Sequence, residues 1–340
     1  RFIKIMNRFC IALLVFSLIS CNFDEDALIF KKFQKFIKKY EKQYNSVNEF
    51  LARFQVFRHN ILMDKELKYS HKHGITKFSD LTQQEFRKKY LNLNYDAMAV
   101  ANFEPFHLKK SNEAPDYLDW RGVRATGVKD QGACSASWAF STVGNLEGLY
   151  AEHYDVLLDL SESVIIDCDT KDSGCHGGLM EYAFDWLKDN VMMTESDYPY
   201  SGTQGKCRID IDKRIHMTVT GFKKLGPDTS VFSCCDEEEM KEFVFEIGPL
   251  SVALNGNPLQ TYASGVIDLN SSQCPASGIN HCALVVGYGT DSATGLDYWI
   301  VKNSWGTVWG EKGYFRIRRG NGTCGINCYV ITATVSFDIF

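Results

Sequence analysis

The amino-acid sequence predicts an α+β protein: a mainly helical stretch over about residues 114–225, a mainly β stretch over about 226–340, a cleft between them, and a helical segment ahead of both over 27–113. Three observations carry this. In EFLARFQVFRHNIL, Phe50, Phe54, Phe57 and Ile61 recur at helical spacing and give one apolar face. After Ser137, the residues Trp138, Phe140, Val143, Leu146 and Tyr150 supply the buried positions of a second helix. Beyond Pro249, the runs LSVAL, HCALVVGYG, DYWIVKNS and GYFRIRR are strand-like and punctuated by Gly, Asn and Asp.

With 340 residues, 45% of them hydrophobic and 23% charged, the chain has the length of two domains and the composition of an ordinary soluble globular protein. Met6, Asn7 and Arg8 precede an apolar run over 9–19 that ends at Ser20, Cys21 and Asn22. This reads as a signal peptide over 1–22 starting at Met6, too short to span a bilayer. The expected destination is the secretory pathway, extracellular or a lysosome-like vesicle, without stable membrane insertion. Without Cys10 and Cys21, ten of the twelve cysteines remain, an even number that in a secreted chain favours disulfides over metal or redox use. Neither a metal nor a cofactor is expected. Residues 27–112 carry 17 Lys and Arg against 8 Asp and Glu, a net +9, whereas 113–340 carry 17 against 31, a net −14. A basic first part docking on an acidic second part is favourable, and two independently solvated faces are the alternative. No nucleic-acid partner is expected.

Within the first segment, Glu49 and Arg53 are four apart and placed to pair along the helix surface. Glu49, Arg53, Phe57 and Asn60 match the first four positions of the ERFNIN helix of papain-like propeptides, and Gly74, Phe78 and Asp80 in GITKFSD resemble the GNFD segment that follows. Asp64, Lys68 and Thr76 depart from those patterns, and with KFSDLTQQEF they look closer to the cathepsin F branch than to cathepsin L. Residues 91–116 lose helical periodicity and contain Pro105 and Pro115, as in an extended linker. The resemblance implies an inhibitory propeptide over 27–113 whose linker crosses an active-site cleft backwards and is cut near Ala114.

Downstream, APDYLDWRGVRATGVKDQGACSASWAFSTVGNLEG, SESVIIDCD, GCHGGLMEYAF, NHCALVVGYG and YWIVKNSWGTVWGEKGYFRIRRG resemble a mature papain-like peptidase in order. The likeness implies a two-lobe fold over 114–340, with a helical left lobe and a β-barrel-like right lobe. It implies a cysteine-type endopeptidase zymogen acting on polypeptide substrates, restrained by its own propeptide and open to cystatin-like inhibitors. The chemistry needs a nucleophile at a helix N-terminus, where unpaired N–H groups and the macrodipole favour an anion. Ser137 takes that place. His281 fits the base, Asn303 the group that orients the imidazole, and Trp305 the shield of that bond. Gln131 resembles the oxyanion donor, acting with the Ser137 N–H.

In the family pattern C-G-[SA]-C-[WY], this chain has Cys134, Ser135, Ala136, Ser137 and Trp138, so serine stands where the nucleophilic cysteine belongs. A papain-type thiol works as a thiolate paired with imidazolium, at a pKa of about 3–4. A hydroxyl is too weak an acid for that resting pair and must lose its proton during attack. Serine proteases support this with a buried carboxylate behind the imidazole, and Asn303 is neutral. Peptide hydrolysis is therefore expected to be weak or absent. A silicatein-like silica condensation and an inert peptide-binding pseudo-peptidase or antigen are the alternatives, and whether the serine is natural or engineered stays open.

By the same resemblance, Cys134 pairs with Cys175, Cys168 with Cys207, and Cys274 with Cys324. Cys234, Cys235, Cys282 and Cys328 remain, with three possible connectivities. Gly177 and Gly178 correspond to the cleft wall. Leu179, Met180, Ala253, Ile279, Cys282 and Tyr329 correspond to the pocket for the second substrate residue upstream of the cut. Tyr329 is bulky for the base of that pocket, which implies a shallow apolar site preferring Val or Leu over Phe.

Overall fold

The computed structural model describes residues 23–66, 71–91, 93, 105–106, 113–227 and 233–337. The expected leader over 1–22, Lys68 and most of the linker lie outside the described residues. The helices Phe23–Lys39 and Val47–Glu66 pack on one another through Ile29, Phe33 and Phe36 of the first and Phe50, Phe54, Phe57 and Ile61 of the second. The rings of Phe33 and Phe36 each lie 5.1 Å from that of Phe57. Each such ring contributes about 1.5–3 kcal/mol when fully buried, which offsets the ordering of a small two-helix unit. The polar members of the long helix face the next segment. Arg53 Nη1 donates to Glu85 Oε2 (2.8 Å) and to the Asp80 carbonyl (3.1 Å), and Asn60 Nδ2 donates to the carbonyls of Ser79 and Leu81. Arg53 thus turns away from Glu49, whose carboxylate instead accepts from the Asn45 N–H. A bidentate-capable guanidinium gains more from a fixed carboxylate and a carbonyl than from an exposed neighbour on its own helix. Thr82 and Glu85 cap the helix Gln83–Tyr90 reciprocally.

Helix Ser137–Tyr154 is the structural axis of the remainder. Trp138, Val143 and Leu146 are buried as expected, but Phe140 and Tyr150 are only half-buried, and Ser141, Thr142, Asn145 and Glu147 are buried too. The helix is covered on nearly every side because it lies between the other helices and the sheet, so a single apolar stripe underestimates its burial. Gly148 allows the approach: a Cβ there would lie 2.8 Å from Pro249 Cδ and 3.2 Å from the Arg124 carbonyl oxygen.

The sheet runs in the order Pro105–Phe106, Met217–Leu225, Tyr329–Phe337, Leu250–Leu254, His281–Thr290, Asp297–Lys302, Tyr314–Arg318 and Val266–Ile267, with Leu118–Asp119 also paired to His281–Thr290. The barrel-like lobe of the expectation is an open sheet: among the described residues its end strands, Pro105–Phe106 and Val266–Ile267, do not pair with one another. Strand Met217–Leu225 joins the sheet from within the stretch read as mainly helical, and helix Glu237–Glu246, capped by Asp236, sits within the β-rich half. Disulfides join Cys134 to Cys175, Cys168 to Cys207, Cys274 to Cys324 and Cys234 to Cys328, leaving Cys235 and Cys282 as buried thiols.

The N-terminal segment docks along one edge of the rest. Lys72–His73 pairs with Tyr262–Ser264, Thr76 Oγ1 donates to the Gln260 carbonyl (2.6 Å), and Gln260 Nε2 donates to the Leu81 carbonyl (2.8 Å). Among the described residues, one ion pair, Lys77 with Asp130 at 2.7 Å, links the basic segment to the acidic part. At this edge His71 is buried against His73 and the Tyr262 ring, and desolvation, aided by His73, pushes it down to about 3 from an ordinary 6.5. A base with a depressed docked pKa favours docking fully above its released value and loses that contribution as the pH falls from 6.5 towards 3. Within the segment itself, the hydrogen bond from Arg53 holds Glu85 at about 2, so its contribution to the segment's own fold is present above 4.5 and lost as the pH falls through 2.

Two outcomes follow. Gly148→Ala should lower unfolding stability by about 1–3 kcal/mol, read as a reduced melting temperature. Docking of the N-terminal segment should weaken progressively from pH 7 to pH 4, and His71→Phe should flatten that response; limited proteolysis of the full chain across the range checks both.

Candidate active site

Ser137 is the first residue of its helix, and Ala136 before it offers no side-chain cap. The first-turn N–H groups and the macrodipole are therefore directed at the Ser137 position. The Ser137 Oγ accepts from the Cys282 N–H at 3.3 Å. Cys282 follows His281, which opens strand His281–Thr290. Helix start and strand start thus meet at one point, held there by Ser141 Oγ donating to the Ala283 carbonyl (2.6 Å).

His281 Nε2 lies 2.9 Å from Asn303 Oδ1, which also accepts the Ser304 N–H at 2.9 Å. That second bond fixes which end of the amide is oxygen, so Nε2 carries the imidazole proton and Nδ1 presents a lone pair. Among the described residues Nδ1 makes no hydrogen bond of good geometry, to the Ser137 hydroxyl or otherwise, although the Tyr90 backbone lies near enough to favour the protonated ring. Burial pushes His281 down to about 4, with the Asn303 bond and the Tyr90 backbone pulling it partly back. At neutral pH the imidazole is uncharged, the form a general base requires. The Trp305 ring covers it at 4.7 Å, and Phe78 and Phe86 meet the indole edge-on at 5.1 and 5.4 Å.

Gln131 is brought in by a short pairing of the chain around Asp130 with Trp305. Its N–H donates to the Ser304 carbonyl (2.8 Å), Ser304 Oγ donates to its Oε1 (2.6 Å), and its Nε2 donates to the Cys134 carbonyl (2.9 Å). With Oε1 held by Ser304, the Gln131 side chain can act only through its NH₂, one hydrogen of which is already engaged.

Sheet register assembles the pocket residues. Tyr329 lies opposite Ala253, and Ala253 opposite Cys282, so three neighbouring strands place these side chains in one row. Leu179, Met180 and Ile279 join them in the same buried cluster. Gly177 and Gly178 carry the chain from the Cys175 turn to Leu179, and Trp305 falls in the other buried cluster, with the aromatic side chains of the N-terminal segment. The segment crosses this site. Ser135 Oγ donates to the Lys89 carbonyl (2.7 Å), the Leu93 N–H donates to the Asn280 carbonyl (3.3 Å), next to Ile279, and Leu93 is buried in the same large cluster as the residues expected at the pocket.

Sequence reasoning missed Ser304, Leu93 and Glu181. Ser304 adjoins Asn303 in KNSWG, but nothing local announces its bond to Gln131. Leu93 sits in a stretch with no periodicity. Glu181 carried a signal in GLMEYAF, an acid among apolar residues at a helix start.

Comparison with known proteins gives the family and the fold. The papain family cysteine protease profile matches residues 114–334, and the cathepsin propeptide inhibitor domain matches residues 33–86. A viral cathepsin of Adoxophyes honmai nucleopolyhedrovirus is 39% identical over 310 residues, covering 87% of this chain and 88% of the relative. A cathepsin F of Drosophila melanogaster is 37% identical over 93% of this chain and 52% of its own length. Among solved structures, digestive procathepsin L 3 from Tenebrio molitor larval midgut superposes with a TM-score of 0.79 at 32% identity, covering 90% of this chain and 99% of that one. The chain belongs to the papain family of cysteine proteases, with a cathepsin-type inhibitory propeptide ahead of the protease domain.

Proposed function

We propose that this chain is a secretory-pathway zymogen of the papain type in which Ser137 occupies the nucleophile position, His281 is the base, Asn303 orients the imidazole and Gln131 serves the developing oxyanion. It binds polypeptides in the cleft and hydrolyses them weakly or not at all. The observation that carries this reading is the environment of the hydroxyl: Ser137 Oγ is bonded to the Cys282 backbone, while the neutral imidazole of the adjoining His281 makes no hydrogen bond to that hydroxyl and is backed by an amide. In serine proteases, exchanging the carboxylate behind the histidine for an amide costs about 10⁴-fold. A site shaped for sulfur also leaves the shorter C–O bond misplaced, and small misplacements are costly. Leu93 in the pocket cluster and the Lys89 carbonyl on Ser135 support the crossing segment as the intramolecular inhibitor. Cystatin-like inhibitors would compete for the same cleft once it leaves, after cleavage near Ala114 between the 27–113 and 114–340 parts.

Ser137→Cys in the full chain tests this at acid pH. Self-cleavage near Ala114, labelling by a thiol-directed peptide inhibitor, and a gain of roughly 10²–10⁴-fold in peptide hydrolysis are expected. Efficient digestion by the unaltered chain, or no gain from the thiol, would overturn the reading.

A further inference from the structure

Tyr329 lies at the floor of the pocket row it forms with Ala253 and Cys282, and its phenol is not idle: the O–H donates to Glu181 Oε2. Glu181 is the second residue of helix Met180–Leu187, 1% exposed, and its other carboxyl oxygen has no hydrogen-bond partner among the described residues. An acid buried beside Tyr329 and near Cys282 costs stability unless something there uses it. Burial pushes its carboxyl up to about 8, so below that pH it is neutral and adds no bare charge to an apolar pocket. What it does supply is a fixed acceptor on a helix, bonded to the one polar atom of the aromatic ring that the peptide-site reading puts at the pocket floor.

We propose that Glu181 is a specificity-positioning residue: by anchoring the Tyr329 hydroxyl it fixes the ring across the pocket floor, so that the pocket takes one branched aliphatic side chain and rejects an aromatic one. This rests on the reading of the cleft as a peptide site. Leu93 is the built-in probe, a γ-branched aliphatic side chain already seated in the cluster, whose own N–H donates to the Asn280 carbonyl.

Hydrogen exchange of the residue-93 amide in the full chain reads its seating. Leu93→Phe should speed that exchange roughly tenfold to a hundredfold, because an overfilled pocket expels the side chain. In a Glu181→Ala background the Leu-to-Phe difference should shrink to within about threefold, whereas Glu181→Gln, whose amide oxygen still accepts, should keep it whole. A general loss of stability would speed exchange at every amide and leave that difference intact, so the difference isolates positioning. Should Glu181→Ala not fold, Tyr329→Phe deletes only the hydroxyl and should also shrink the difference. Equal exchange of Leu93 and the Leu93→Phe variant, or a difference untouched by Glu181→Ala or Tyr329→Phe, would overturn the inference. The peptide-site reading fails separately, if the Ser137→Cys chain neither binds nor cuts any peptide while the exchange difference follows residue 181.

Discussion

Everything at the site depends on helix Ser137–Tyr154 lying flat against strands Leu250–Leu254 and His281–Thr290. A nucleophile position at a helix tip and a base at a strand tip can face one another only if the two backbones approach closely. Gly144 and Gly148 face that side: a Cβ at the first would lie 2.8 Å from Leu284, and at the second 2.8 Å from Pro249. Glycine inside a helix costs about 1 kcal/mol, and the packed contact it permits outweighs that loss. Ser251 Oγ donating to the Ser141 carbonyl and Asn145 Nδ2 donating to the Pro249 carbonyl fix the helix along its length.

Directly behind this contact lies a buried charge network. Lys129 Nζ reaches Glu147 (3.0 Å) and Glu162 (2.8 Å), and Lys302 Nζ donates to Thr126 Oγ1, which donates to Glu147. Burial opposes the charge on Lys129, but Glu147 and Glu162 outweigh it and hold the ammonium protonated. Such a network adds little net stability and gives unique geometry, because any misaligned packing strands a charge. It spans Lys129, two residues before Gln131, and Lys302, one residue before Asn303, so it sets the spacing of two site residues at once.

The docked propeptide uses the same groups that shape the site. Phe78 and Phe86 cover the indole that covers His281, and Leu93 occupies the pocket cluster. Inhibition and protection of the imidazole are thus one contact surface.

The sequence by itself determined which residue types are available and their order. The helical spacing of Phe50, Phe54 and Phe57, the capping Asp236, the strand-like HCALVVGYG, and the presence of serine at 137 with His281 and Asn303 far downstream are local patterns, readable because helix and strand periodicity need no tertiary information. Tertiary structure alone decided the rest. The row Tyr329, Ala253 and Cys282 exists only through register between strands far apart in sequence, and the Glu181 partner of Tyr329 lies 148 positions away. The burial of Phe140 and Tyr150, the pairing of Cys234 with Cys328 and the open sheet likewise follow from which surfaces meet. Side-chain pairing across long separations is set by packing of the whole chain, and no local propensity encodes it.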